Sequence, residues 1–563
     1  MAGKALEERM RAFALKNAFE HGGKAHHGAV LGRLLGDDPA LKNKMAELGK
    51  TISIVLKEVN ALKPEEQLAE LKKHHPELLE RKKEGKKELP ELENAVTGNV
   101  TMRMAPNPSG PLHIGHCRMI ILNDEYAKKY NGVLILRFDD TDPKNENKKP
   151  MKEAYAWAEE DLKWLGVNYY RVERASARLE KYYEFFSLLL RKGVSYVCSC
   201  PQEEWSQKVR VRKEYCPCRS LSVEENLERW RKMLEWEYKE GQAVGRMKTL
   251  EGEKDPAVVD WPTFRIVDEP EHPFSSAHVW PMLDFASAFD DYDMKVTHII
   301  RGKDLAASER KQRVIYDYME WKYPITEVYG KFGTTEDLVI SKSKIAQGIR
   351  EGKYSGYDDP KLLALLKSFK KRGIQPEAIR NYILSLGLTQ HETNVDLDIL
   401  YNENKKLVDA TANRYFAVVS PEKVRIEQLG NVKASAPLHP GDEGRGKRTL
   451  EVENGEVYAE KEDLENASNG VEFRLLHLCN AVMANGKLRE VKASEMPQSK
   501  IHWVPAKGSL ELELHTTSGV RNGFVERGVL NEKTGNVVQF ERVGFARIES
   551  VSGEKVVAYY SHK

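Results

Sequence analysis

The stretch Val-Thr-Met-Arg-Met-Ala-Pro-Asn-Pro-Ser-Gly-Pro-Leu-His-Ile-Gly-His, residues 100–116, decides the fold. Val100, Met102 and Met104 alternate with other side chains, as a strand requires. A Pro/Gly-rich loop follows, then an amphipathic run from about Cys117 to Tyr130 that reads as a helix. The six residues Val-Leu-Ile-Leu-Arg-Phe, 133–138, are almost continuously apolar, which suits a strand buried on both faces. Met151 to Leu165 reads as a helix, Val167 to Tyr170 as a short strand and Ala175 to Lys192 as another helix.

Strands alternating with helices in this order predict a doubly wound, Rossmann-like parallel sheet. The alternation lapses between about Val197 and Phe274, so that segment reads as an insertion. It resumes with a strand at Lys295–Ile300, a helix at Leu305–Tyr318 and a strand at Ile325–Tyr329. Residues 358–388 look helical again. From about Arg414 the chain is β-rich, with strict alternation in Gly-Ser-Leu-Glu-Leu-Glu-Leu-His (508–515), and short strands between Gly/Asn turns suggest barrels.

A chain of 563 residues is too long for one core, so three to five domains are expected. Lys plus Arg number 88 against 86 Asp plus Glu, a net +2 that argues against a uniformly basic nucleic-acid binder but leaves room for basic patches. With 40% hydrophobic residues the chain is not disordered. No apolar run approaches the roughly 18 residues of a membrane span, and Met-Ala-Gly-Lys-Ala-Leu-Glu-Glu at the start is too charged for a signal peptide. The expectation is a cytoplasmic protein. Residues 1–98 are Lys- and Glu-rich and read as a helical appendage; Lys63 to Lys87 has too few apolar residues for a large core. That stretch is either a solvated helical surface or a docking surface for a protein or RNA.

The chemistry concentrates in residues 105–116. A helix N-terminus offers unpaired N–H groups and partial positive charge, which suits a phosphate. Gly110 and Gly115 allow close approach to the backbone, and His113 and His116 can donate to phosphate oxygens. A second motif, Val-Ile-Ser-Lys-Ser (339–343) followed by Lys344, reads as a mobile loop that brings an ammonium to a polyphosphate. Cys198-x-Cys200 and Cys216-x-Cys218 can close a tetrahedral zinc site, with free or redox cysteines as the alternative. Four closed ligands would make that metal structural. Cys117 and Cys479 stand apart.

The two motifs resemble the HIGH and KMSKS signatures of class I aminoacyl-tRNA synthetases. Arg-Phe-Asp-Asp-Thr-Asp-Pro (137–143), Gly-Tyr-Asp-Asp-Pro (356–360) and Val-Gln-Phe-Glu-Arg-Val-Gly-Phe-Ala-Arg-Ile (538–548) look like the glutamyl/glutaminyl branch. The resemblance runs from about residue 99 onward, and the β-rich C-terminal part is similar to the archaeal and eukaryotic glutamyl form. It implies ATP with Mg²⁺, L-glutamate and tRNA-Glu as ligands, a glutamyl-adenylate intermediate, and a monomer. Whether tRNA-Gln is charged too stays open.

The resemblance also assigns residues. Pro106, Asn107, Gly110, His113, Gly115, His116, Ser341, Lys342 and Lys344 are the expected ATP contacts, with His113, His116 and Lys342 catalytic. Arg103, Ala105, Ser109, Asp139 and Arg301 are the expected amino-acid contacts. Arg301 stands where glutamyl enzymes resemble one another in having arginine, and a guanidinium would prefer a carboxylate to an amide; by itself it reads equally as an arginine in a surface ion pair. Two departures matter. Val339 replaces the usual first lysine of the second motif, and Leu283 stands where many relatives have tyrosine.

These readings divide the chain into the appendage (1–98), the catalytic domain (99–196 and 275–335), an acceptor-stem-binding insertion with the zinc site (197–274), a signature-loop and helical stem-contact domain (336–395) and an anticodon-binding β-barrel region (396–563). Residues 341–372 hold nine Lys/Arg against three Asp/Glu and are expected along the RNA path. Phe540, Arg542 and Arg547 are candidate anticodon contacts, with a strand-core role for Phe540 as the alternative. Glutamine ligation, and a tRNA-binding protein with an inactive centre, remain as competing readings.

Overall fold

The computed structural model describes residues 2–20, 23–37, 45–75, 78, 88–249, 252–253, 255–333, 338–467, 470–485, 487–492, 497 and 499–563. Of the Lys63–Lys87 stretch, residues 76–77 and 79–87 therefore lie outside the described residues. The chain forms two compact units, Met1–Lys87 and Glu88–Lys563.

The first unit contains helices α1 (Ala2–Glu20), α2 (His27–Asp37), α3 (Met45–Val59) and α4 (Pro64–His74). Met10, Ala14, Val30, Leu34, Ile52 and Leu71 meet in a core of its own. The buried Gln67 amide closes it by donating to the carbonyls of Val59 (2.8 Å) and Gly23 (3.0 Å). Residues 88–98, expected with the appendage, instead belong to the second unit: Leu92 packs in the catalytic core and its N–H donates to the Tyr130 hydroxyl at 2.8 Å.

The second unit begins with β1 (Thr101–Met104), α5 (Ile114–Lys129), β2 (Val133–Phe138), α6 (Lys152–Trp164), β3 (Arg171–Arg174) and α7 (Leu179–Arg191). β1, β2 and β3 are parallel, with Thr101 opposite Val133 and Ile135 opposite Arg171. The third strand is thus four residues later than Val167–Tyr170, because pairing with β2 and not local hydrophobicity sets its position. Gly132 makes the turn from α5 into β2: a Cβ there would lie 2.4 Å from the Val100 carbonyl oxygen.

The insertion carries β4 (Ser195–Cys198), α8 (Gln202–Trp205), α9 (Val223–Leu234), β5 (Val244–Met247), β6 (Pro262–Ile266) and β7 (Val279–Pro281). Its four strands form one antiparallel sheet in chain order, which runs past Phe274 to Pro281. The parallel pattern then returns through α10 (Leu283–Asp293), β8 (His298–Gly302), α11 (Ala306–Tyr318) and β9 (Ile325–Tyr329). Thr297 N–H donates to the Thr101 carbonyl at 2.9 Å, which sets β8 beside β1. The strand order is therefore β3-β2-β1-β8-β9. Its direction of growth reverses between β1 and β8, and ligands bind at such a reversal, beyond the carboxyl ends of the strands.

Four further helices, α12 (Lys342–Arg350), α13 (Leu366–Arg372), α14 (Pro376–Leu386) and α15 (Leu397–Val408), precede the β-rich part. There the strands make two seven-stranded sheets and a separate two-stranded ribbon. One sheet has Arg414–Tyr415 at one edge and Ala417–Val418 at the other, so a single residue, Phe416, joins its two edges. The other is joined in the same way through His502, between Lys500–Ile501 and Trp503–Pro505. Each sheet must curl round on itself, giving the barrel-like form expected. Along residues 415–419 alternate side chains feed different cores: Phe416 and Val418 one, Tyr415, Ala417 and Val419 the other. Among the described residues no helix is long and apolar enough to cross a membrane.

Candidate active site

The loop after β1 is fastened to the loop after β2. Asp139 N–H donates to the Pro106 carbonyl (3.1 Å), and the Asn107 amide donates to the carbonyls of Asp139 (2.8 Å) and Lys148 (3.0 Å). Ser109 Oγ donates to the Asn147 carbonyl at 3.2 Å. Beyond this loop His113 caps α5. Its Nδ1 accepts from Gly115 N–H, and His116 Nδ1 accepts from His113 N–H, each at 3.1 Å. Nitrogens that accept carry no proton, so each neutral ring keeps its hydrogen on Nε2 as a donor. Burial, with the nearby Lys342 cation, lowers the His113 pKa to about 4. Burial and both neighbours, His113 and Lys342, hold His116 well below the ordinary imidazole value.

The second motif begins a helix, where a loop was expected. Ser341 stands at the cap position and Lys342 is the first residue of α12. Lys342 Nζ donates to Ser109 Oγ at 2.5 Å, and its Cδ lies 3.2 Å from where a Cβ on Gly110 would be. Gly110 therefore leaves room for the lysine to cross the first motif. Burial alone lowers the Lys342 pKa to about 8. Ile114 N–H donates to the Ala364 carbonyl and Leu366 N–H to that of Leu112, tying the two motifs through the segment after Gly356–Pro360. Val339 takes an apolar role, packing beside Ile345 and Leu365. Lys344 is exposed on α12.

Next to this lies a second charged cluster. Arg103, on β1, is buried and makes a bidentate pair with Asp291 of α10 (2.8 and 2.9 Å). Asp139 accepts from Arg137 at 3.3 Å, yet burial raises its pKa above the ordinary carboxylate value. Arg301, at the carboxyl end of β8, is only 4% exposed, which rules out the surface ion pair. Its guanidinium donates to Gln312 Oε1 (3.1 Å) and to the Tyr323 hydroxyl (2.8 Å), and its buried Nε has no partner. No carboxylate among the described residues pairs with it.

In the insertion, the sulfurs of Cys198, Cys200, Cys216 and Cys218 all lie within 4.8 Å of one another. The separations Cys198–Cys216 (3.6 Å), Cys200–Cys216 and Cys200–Cys218 (both 3.7 Å) are near the ~3.8 Å edge of a tetrahedron with Zn–S bonds of ~2.3 Å. Arg229 donates to Cys218 Sγ at 3.4 Å, as suits a thiolate.

Residues 99–409 match the family described as tRNA synthetases class I (E and Q), catalytic domain. Residues 412–496 and 500–549 match the two anti-codon binding domains of the same family. The chain is 43% identical to the glutamate–tRNA ligase of Pyrococcus furiosus over 99% of its own length and 100% of the relative's. It is 44% identical to the enzyme of that name from Pyrococcus abyssi (98% of each chain) and 41% to that from Methanosarcina mazei (98% of each).

This chain belongs to the glutamyl/glutaminyl class I tRNA synthetases.

In this synthetase the fold brings His113, His116, Ser109, Gly110 and Lys342 together, while Lys344 is exposed in the first turn of the same helix. Asp291, Gln312 and Tyr323 carry no local motif and were missed; only hydrogen bonds between distant elements reveal them. The basic stretch 341–372 is not one face. Lys342 enters the site, Arg372 is buried and bonds the Tyr560 and Ser561 carbonyls, and Lys371 pairs with Glu549. Of the anticodon candidates, Phe540 is core, Arg547 pairs with Glu549, and Arg542 pairs with Asp463 beside a cavity of about 490 Å³ that Arg521, His502 and Tyr560 also line.

Proposed function

We propose that this synthetase ligates L-glutamate to the 3′ end of tRNA-Glu through glutamyl-adenylate. The observation that carries the choice of amino acid is Arg301. A buried cation with neutral partners only is costly, and a substrate carboxylate would relieve it. Glutamine, an amide, would leave the charge unmatched. Asp139 is the group we assign to the substrate's ammonium. Arg103, already neutralised by Asp291, becomes a structural support for the pocket, with Ala105 and Ser109 as its near wall.

In the first step a glutamate α-carboxylate oxygen attacks the α-phosphorus of ATP, a phosphorus–oxygen bond breaks and pyrophosphate leaves. The nucleophile is ionised at pH 7, so no general base is required. With Nδ1 taken by the capping bonds, the Nε2 hydrogens of His113 and His116 are the donors we assign to the phosphate, with Lys342 as the cation. Pro106, Asn107, Gly115 and Ser341 shape the nucleotide site. In the second step the terminal ribose hydroxyl of tRNA attacks the acyl carbon and AMP leaves. Mg²⁺ bound with ATP would supply positive charge that offsets part of the charge of the phosphates. Cys198, Cys200, Cys216 and Cys218 fit zinc, which would hold the acceptor-stem insertion together.

The test is ATP–pyrophosphate exchange with glutamate and with glutamine, tRNA present. Exchange with glutamate alone is expected; exchange with glutamine alone overturns the reading. Charging of purified tRNA-Glu and tRNA-Gln decides whether the enzyme loads one or both. We also take the enzyme to act as a cytoplasmic monomer, which sedimentation and fractionation test.

A further inference from the structure

We propose that Gln312 and Tyr323 are positioning residues that fix Arg301 with neutral acceptors, keep its positive charge free for the substrate's side-chain carboxylate, and so set the preference for an acid over an amide. This rests on the function proposed above. The bonds form one directed chain. Arg301 donates to the Tyr323 hydroxyl (2.8 Å), which donates to Gln312 Oε1 (2.6 Å), the same oxygen that accepts from Arg301 (3.1 Å). The Gln312 NH₂ donates to Ser287 Oγ (2.6 Å), whose hydroxyl donates to the Leu283 carbonyl (2.7 Å).

Each bond fixes the sense of the next. If the Gln312 amide turned over, its NH₂ would face the Arg301 and Tyr323 donors, and both of the bonds its oxygen accepts from them would be lost. The amide is buried, as are Ser287 and Arg301. The Tyr323 ring is held by Arg313 over its face at 4.4 Å and by the edge of Tyr316 at 4.8 Å. The contrast with Arg103 defines the role. Asp291 spends both oxygens on Arg103 and cancels it. Gln312 offers Arg301 a single oxygen without the charge.

Gln312→Glu tests this directly, because it keeps the shape and adds the charge. The expected result in tRNA-dependent exchange is a KM for glutamate raised about thirtyfold or more with kcat within about threefold, and a glutamate-to-glutamine ratio of kcat/KM lowered at least about tenfold. Tyr323→Phe should raise the same KM about threefold to tenfold, with the same split. Gln312→Met, which removes hydrogen bonding without adding charge, controls for packing. If it raises KM as much as Gln312→Glu does, or if Gln312→Glu leaves both KM and the ratio unchanged while melting like the wild type, the inference falls. A wild type that does not activate glutamate would sink the proposed function instead, so the two failures are distinguishable.

Discussion

Lys342 Nζ reaches Ser109 Oγ at 2.5 Å across 233 residues of chain, so the two signature motifs meet at one hydrogen bond. Burial gives this ammonium a pKa of about 8. Raising the pH through that value removes the charge a phosphate needs. In the free enzyme, kcat/KM for ATP should therefore fall above pH ~8. Lys342→Arg, which stays protonated, should lose that alkaline limb, and Lys342→Ala should lower kcat/KM about a hundredfold or more at pH 7. A pH profile for each variant checks this.

The paired imidazoles predict the acid side. His113 and His116 are held neutral by burial, with His113 near 4, so no inflection should appear at the ordinary imidazole value of about 6.5. Gly115→Ala would place a methyl 2.8 Å from the His113 ring and turn it out of its cap. The expected outcome is a loss of kcat of about tenfold to a hundredfold with little change in melting temperature.

The two buried arginines should answer mutation in opposite ways. Asp291→Ala strips the only carboxylate that pairs with Arg103 among the described residues and should destabilise the fold by about 3–5 kcal/mol. Arg301→Gln removes a cation that has no ionic partner among the described residues. Thermal stability should then fall far less, while kcat/KM for glutamate drops about a hundredfold. Melting curves and exchange kinetics on both variants separate the outcomes.

The cysteine quartet predicts a stoichiometric zinc by elemental measurement on the purified protein. Cys216→Ser should lose the metal and loosen the insertion, seen as protease sensitivity around residues 198–220. Full metal retention in that variant would contradict the tetrahedral site.

What could be read beforehand was what the chain writes locally. Residues 100–138 declare a parallel strand, a capped helix and a second strand through alternation, glycine placement and an apolar run, and Cys198 to Cys218 declare themselves by spacing. The third strand was misplaced because its register depends on Ile135 opposite Arg171, a contact no local pattern encodes. That Asp291 pairs with Arg103 across 188 residues could not be seen in the sequence. Gln312 and Tyr323 escaped for the same reason: each is an ordinary residue until the fold sets it against Arg301.

Residues 415–419 serve two cores at once, with neighbouring side chains on opposite sides of a common wall. A wall shared in this way removes the option of partial melting at the seam, since opening either compartment exposes the lining of the other. The anticodon-binding region should therefore unfold in one step, and a displacement imposed on one compartment would be carried to its neighbour through rigid backbone. Phe416, whose N–H is held by Glu526 at 2.6 Å, stands at the middle of that shared wall.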